Sequence, residues 1–126
     1  MPREIEICYD ESMEMKVITS PIAKTEIEEI AGCQFGDFVK AVVDTEKKIM
    51  AIGGELHADM EALLMAQGSE QKNLWGVNLY PARPENELIE FNSMINVRPS
   101  QGNRSRNVED QDIRMNIKAI ADILIR

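Results

Sequence analysis

The order of apolar and polar positions divides this chain into three stretches of helical period and several of strand-like alternation. The clearest is near the C-terminus, where Ile113, Ile117, Ile120, Ala121 and Leu124 share one face of a helix and Asp110 stands at its N-cap. Leu56, Met60, Leu63 and Leu64 mark a second helix over about residues 56–67, closed by Gly68. A third opens at Ser20–Pro21, with Ile22, Ile27, Ile30 and Ala31 on one face and Gly32 as its stop. Thr25 with Glu28 offers a capping box one turn later.

Strand-like alternation fills the rest. Ile5, Ile7 and Tyr9 alternate with Glu4, Glu6 and Cys8, and Met13–Thr19 alternates again. Phe38–Val43 and Ile49–Ile52 flank a charged tip and read as a hairpin. Leu74–Tyr80 is a further strand, followed by Glu87–Phe91 and Met94–Val97 with Asn92–Ser93 as a bulge or turn. Short connections between strands favour antiparallel pairing. The expected architecture is therefore α+β: one domain over residues 13–126, a mostly antiparallel sheet, about three helices, and the C-terminal amphipathic helix packed on the sheet. Residues 1–12 read as an N-terminal extension or edge strand.

Composition agrees with a globular chain: 126 residues, 44% hydrophobic and 29% charged. No apolar run approaches the roughly 18 residues that span a bilayer, so no membrane partner is expected. The first residues lack a signal-peptide core, so a cytoplasmic location is expected. Cys8 and Cys33 show no metal-ligand spacing and read as two reduced thiols. A net charge of −8 argues against a broad nucleic-acid face.

Against that acidic background, residues 96–106 stand out. Asn96, Arg98, Ser100, Gln101, Asn103, Arg104 and Arg106 are candidate ligand-binding residues. Arginine forks grip phosphate, and Gly102 allows close backbone approach. The loop also runs into a helix whose first amides attract anions. It matches no standard nucleotide motif. The alternative is structural: the arginines pair with carboxylates and staple a long loop.

His57, with Glu55 and Asp59, forms the second candidate, a catalytic one. A histidine beside carboxylates can act as a general base or, with Glu61 one turn on, share a Mg²⁺ or Mn²⁺ cofactor. The simpler explanation is an acidic helix start carrying a surface or half-buried histidine. Asp44, Asn78 and Glu90 near strand ends are explained by a charged tip or solvent-facing positions. Trp75, Tyr80 and Phe91 read as core rather than a base-stacking platform.

The segments Gly53-Gly54-Glu55-Leu56-His57-Ala58-Asp59, Leu74 to Pro81, and Arg98-Pro99-Ser100-Gln101-Gly102-Asn103-Arg104-Ser105-Arg106 resemble a family of small prokaryotic proteins, a domain of unknown function. The resemblance covers roughly Ile18 to the C-terminus. Gln111 stands where the family would place a helix-starting proline. The resemblance implies no activity, cofactor or partner; it supports treating residues 55–59 and 96–106 as one site. Two functions follow from the residues. One is binding of a phosphate-bearing ligand, a nucleotide or nucleic-acid end, with metal- or His-assisted phosphoester hydrolysis as its enzymatic form. The other is a non-catalytic interaction module, in which the arginine loop grips a partner's carboxylates or a homo-oligomer forms through edge strands.

Overall fold

Strict alternation along Val39–Asp44 sends Val39, Ala41 and Val43 to one side of a sheet and Val42 to the other, and both sides are covered. The computed structural model describes residues 14–126; the strand expected within residues 1–12 lies outside them. Five strands, β1 (Lys16–Ile18), β2 (Val39–Asp44), β3 (Ile49–Ile52), β4 (Leu74–Leu79) and β5 (Ile89–Glu90), form an antiparallel sheet in the order β1-β3-β2-β4-β5. Two helices, α1 (Lys24–Cys33) and α3 (Gln111–Leu124), cover one face and α2 (His57–Ala66) the other. The larger core joins Val39, Ala41, Val43, Trp75, Val77 and Leu79 to Ile27, Ile30, Ile117, Ile120 and Leu124. The smaller joins Val42, Ala51 and Leu74 to Met60 and Leu64 of α2. The α+β class, the antiparallel sheet, the three helices and the packing of the C-terminal helix agree with the sequence pattern.

Several local expectations are corrected. Helix α1 begins at Lys24, not at Ser20–Pro21, because Ile22 is extended and pairs with Ile125: its amide donates to Leu124 O and its carbonyl accepts from Arg126 N. No side chain caps α1, so the Thr25–Glu28 box is not made. Gly32 lies inside the helix, and Gly36, at φ +99°, turns the chain with its amide on Ala31 O. In α2, Leu56 is 55% exposed and His57 takes the inward position. Asp44 is fully buried rather than a solvated tip. It accepts from the Glu46 and Lys47 amides, both at 2.9 Å, and from Ser69 Oγ at 2.6 Å, which fixes the β2–β3 turn. Cys33 is disulfide-bonded, whereas its spacing favoured a reduced thiol; sequence separation does not show proximity in space. Among the described residues no helix is long and apolar enough to cross a membrane.

The most consequential correction lies beside β4. The outer edge of β4 meets β5 only at Asn78 and Leu79, so on that side Leu74 and Gly76 have no strand next to them. The strand expected over Met94–Val97 is instead a 3₁₀ turn, Met94–Asn96, entered through Ser93, whose Oγ accepts from the Ile95 amide. The turn brings the Asn96 side chain to the edge in place of a backbone. Its Oδ1 accepts from Gly76 N at 2.8 Å, and its Nδ2 donates to Gly76 O at 2.9 Å and to Arg106 O at 3.0 Å. One amide thus satisfies a strand residue as a neighbouring strand would. Replacing Asn96 with Leu leaves these buried groups unpaired, at roughly 1–3 kcal/mol each. The variant is expected to lose about 3 kcal/mol or more, read as a lowered urea midpoint.

Candidate functional site

Register places three polar side chains in one row across the sheet: Lys40 on β2 opposite Asn78 on β4, and Asn78 opposite Glu90 on β5. They lie beyond the Val42–Ala51–Leu74 core, toward the start of α2. The row forms one side of a cavity of about 420 Å³. Leu56, His57 and Ala58 close it from the start of α2, Ser93–Ile95 and Arg106 from the loop that follows β5, and Phe38 from the entry to β2. A larger cavity of about 540 Å³ lies between Phe91 and α3. Its Arg114 is already engaged, its guanidinium 4.6 Å from the Phe91 ring centroid and bonded to Asn107, and its Lys118 shares the lining with Glu85 and Asp122. It contains none of the residues that sequence chemistry singles out.

His57 is 8% exposed, and its Nε2 lies 2.8 Å from Val77 O. A carbonyl only accepts, so Nε2 carries the hydrogen and Nδ1 is left as the basic nitrogen. Burial lowers the pKa below its ordinary value; Lys40 and Arg106 push the same way, against the Val77 carbonyl and the Asn78 side chain. His57 is therefore a neutral base in an electropositive setting. The ring rests over β4 because residue 76 is glycine. A Cβ there would stand 2.6 Å from both Cβ and Oγ of Ser93 and 3.1 Å from His57 Cδ2.

The other polar groups have defined tasks. Asn78 Nδ2 donates to Glu90 Oε1 at 2.8 Å, and the Tyr80 hydroxyl reaches the same oxygen at 3.3 Å. Burial and the Glu90 charge raise the Tyr80 pKa, so the hydroxyl keeps its proton and acts as a donor. Lys40 lies over the Phe35 ring, 5.1 Å from its centroid. Neither Lys40 nor Arg106 makes an ion pair among the described residues.

Of the residues singled out in sequence, the fold brings His57 and Arg106 to this cavity. Glu55 and Asp59 are exposed and are not among its lining residues. The rest of the arginine loop is built largely into itself. Arg98 is buried; it donates to Ile95 O, Gln71 O and Leu74 O, stacks 4.6 Å from the Trp75 ring centroid and lies 3.8 Å from Glu61. Asn96 supports β4 as described. Asn103 donates to Asn96 O and Asn107 O, both at 2.7 Å, and accepts from the Glu109 amide. Gln101 bonds Lys72 O, while Ser100 is exposed. The amides of Arg104 and Ser105 and the Ser105 hydroxyl converge on one carboxylate oxygen, Glu109 Oε2, at 3.0, 2.8 and 2.8 Å. These donors, the Ser105 hydroxyl first, hold the Glu109 carboxyl below its usual pKa. Asp110 in turn caps α3. The anion cradle that the loop offers in sequence is thus filled by the protein's own carboxylates. Among the described residues no group of three or more His, Cys, Asp or Glu is placed to hold a metal ion.

Lys40, Asn78, Glu90 and Ser93 are the cavity residues that sequence chemistry does not select as a group. Their signal is local: Asn78 is the one polar residue in the apolar run Leu74–Leu79, and buried strand positions are rarely polar without a reason.

A family model described as Protein of unknown function (DUF5674) matches residues 16–124, and the chain belongs to that family. The match agrees with the resemblance read from the sequence, at the level of a domain of unknown function. No curated protein and no solved structure matches the chain.

Two outcomes test this geometry. Gly76→Ala overpacks the contact with Ser93 and His57 and is expected to cost about 1–3 kcal/mol, measured by urea unfolding. The second concerns pH. The folded chain holds His57 below the unfolded value of 6.5, so between the two pKa values the unfolded chain binds more protons. Stability therefore rises with pH across that window and falls as pH drops through it. Urea midpoints measured from about pH 7 down to about pH 5 are expected to fall for the wild type, and to fall less for His57→Gln.

Proposed function

We propose that this member of the DUF5674 family binds a small phosphate-bearing ligand in the cavity between the start of α2 and the Lys40–Asn78–Glu90 row. The observation that carries the reading is the convergence of two cations, Lys40 and Arg106, without ion-pair partners among the described residues, on one cavity of an otherwise acidic chain. Their field acts at the site, since both depress the pKa of His57. Helix α2 adds to it: no side chain caps its N-terminus, and Leu56, His57 and Ala58 at that end line the cavity. The cavity volume falls within the range typical of small-molecule sites, roughly 300–1,000 Å³.

The enzymatic form of this reading is phosphoester hydrolysis. His57, held through Nε2, would take a proton from an attacking water at Nδ1, with Arg106 and Lys40 balancing charge on the phosphoryl oxygens. The loop contributes through Arg106 rather than through Arg98 or Arg104. Arg98 is committed to the Leu74, Gln71 and Ile95 carbonyls.

The test is thermal unfolding with phosphate and simple phosphomonoesters. A ligand at about 100 times its Kd should stabilise the fold by roughly 2.7 kcal/mol, a shift of several degrees. Arg106→Ala and Lys40→Ala are each expected to weaken binding about tenfold, near 1.4 kcal/mol, while Arg104→Ala binds like the wild type. Loss of binding in Arg104→Ala with retention in Arg106→Ala would return the site to the outer loop.

A further inference from the structure

The cavity sets two cations, Lys40 and Arg106, beside acceptors that are short of donors. Asn78 is 7% exposed, and its Nδ2 donates to Glu90. A carboxylate cannot donate, so the amide has one orientation: nitrogen toward Glu90, oxygen away from it. Among the described residues that oxygen, Oδ1, is buried and has no hydrogen-bond partner. Glu90 receives both of its bonds on Oε1, from Asn78 and Tyr80, and Oε2 receives none among the described residues. Asn78, Glu90 and His57 line one cavity, and the buried Asn78 oxygen without a donor carries a desolvation cost that a matching ligand group removes.

Resting on the phosphate reading above, we propose that the ligand is a hydroxylated phosphomonoester, a sugar phosphate. Its phosphate lies at Lys40 and Arg106, and its hydroxyls donate to Asn78 Oδ1 and Glu90. The cations alone would serve any phosphate; the acceptors distinguish one that carries hydroxyls. A site built to pair a hydroxyl rejects the analogue that lacks it far more strongly than an apolar pocket rejects a missing methylene. Phe38, Met94 and Ile95 supply the apolar wall against which the C–H edge of a sugar ring packs. The same chemistry is offered by a free sugar phosphate and by the ribose phosphate of a ribonucleotide.

Calorimetric titration of the full chain separates these cases, with inorganic phosphate, ethyl phosphate, ribose 5-phosphate and the ribonucleoside 5′-monophosphates as probes. Ribose 5-phosphate is expected to bind at least about tenfold more tightly than ethyl phosphate, a comparison that needs no variant. Asn78→Leu is expected to abolish that preference, read as the ratio of the two Kd values. Should Asn78→Leu fail to fold, Glu90→Gln, which can still accept from Asn78, should reduce the preference. Equal binding of ribose 5-phosphate and ethyl phosphate by the wild type overturns the sugar assignment and leaves the anion site standing. Binding of none of the probes overturns both. Tighter binding of a ribonucleotide than of ribose 5-phosphate supports the assignment and identifies the source as a nucleotide; equal binding identifies a free sugar phosphate.

Discussion

A strand edge buried without a neighbouring backbone must find its hydrogen bonds elsewhere, and at Gly76 it finds them in one side chain. Asn96 meets both the amide and the carbonyl of Gly76. That contact positions Ser93 over β4, because the 3₁₀ turn that presents Asn96 begins at Ser93. Ser93 and His57 then lie so close over residue 76 that only glycine fits between them. The same Asn96 amide donates to Arg106 O, and Ser93 N donates there as well, so the backbone of Arg106 is held at the cavity wall. One polar contact thus sets the edge of the sheet, the seat of the histidine and the anchor of the arginine.

Electrostatics divides the three arginines of the 96–106 loop into three roles. Arg98, desolvated and bonded to three carbonyls, acts as a staple, with Glu61 nearby to offset the charge it buries. Arg104 is exposed, and what it gives the fold is a backbone amide on Glu109. Only Arg106 directs charge into the cavity. A chain with a net charge of −8 gains little from scattering cations over its surface. Lys40 and Arg106 share the wall of a partly enclosed cavity with the Glu90 carboxylate, where salt screens the field of the cations less than it would at an open surface.

How much of this is legible in sequence follows from which contacts are local. Helix α3 is read directly from its period and its Asp110 cap, and β2, β3 and β4 from their apolar alternation, because each is specified by its own residues. The start of α1 is not, since Ile22 is drawn out of the helix by the far end of the chain at Ile125. The 94–96 turn is not either. Its apolar residues suit a strand, and the override comes from a single asparagine finding Gly76 across the fold. At the site, His57 and Arg106 are legible as residues with useful chemistry. Their convergence with Lys40, Asn78 and Glu90 depends on strand register, which no single segment encodes. A phosphate cradle read from the arginine loop omits the one contact that changes its meaning, Glu109 seated on the loop's own amides.

The neutral state of His57 and the positive potential of the cavity are two consequences of one arrangement. Lys40 and Arg106, together with burial, disfavour the imidazolium and leave a lone pair on Nδ1. An anion seated between those cations offsets their field at the ring and raises the proton affinity of the same nitrogen. Linkage makes the effect reciprocal: whatever raises the basicity of His57 on binding also makes anion binding tighter when the histidine is protonated. His57 is therefore least ready to accept a proton when the site is empty and most ready when an anion fills it. That order follows from burying one histidine beside two cations.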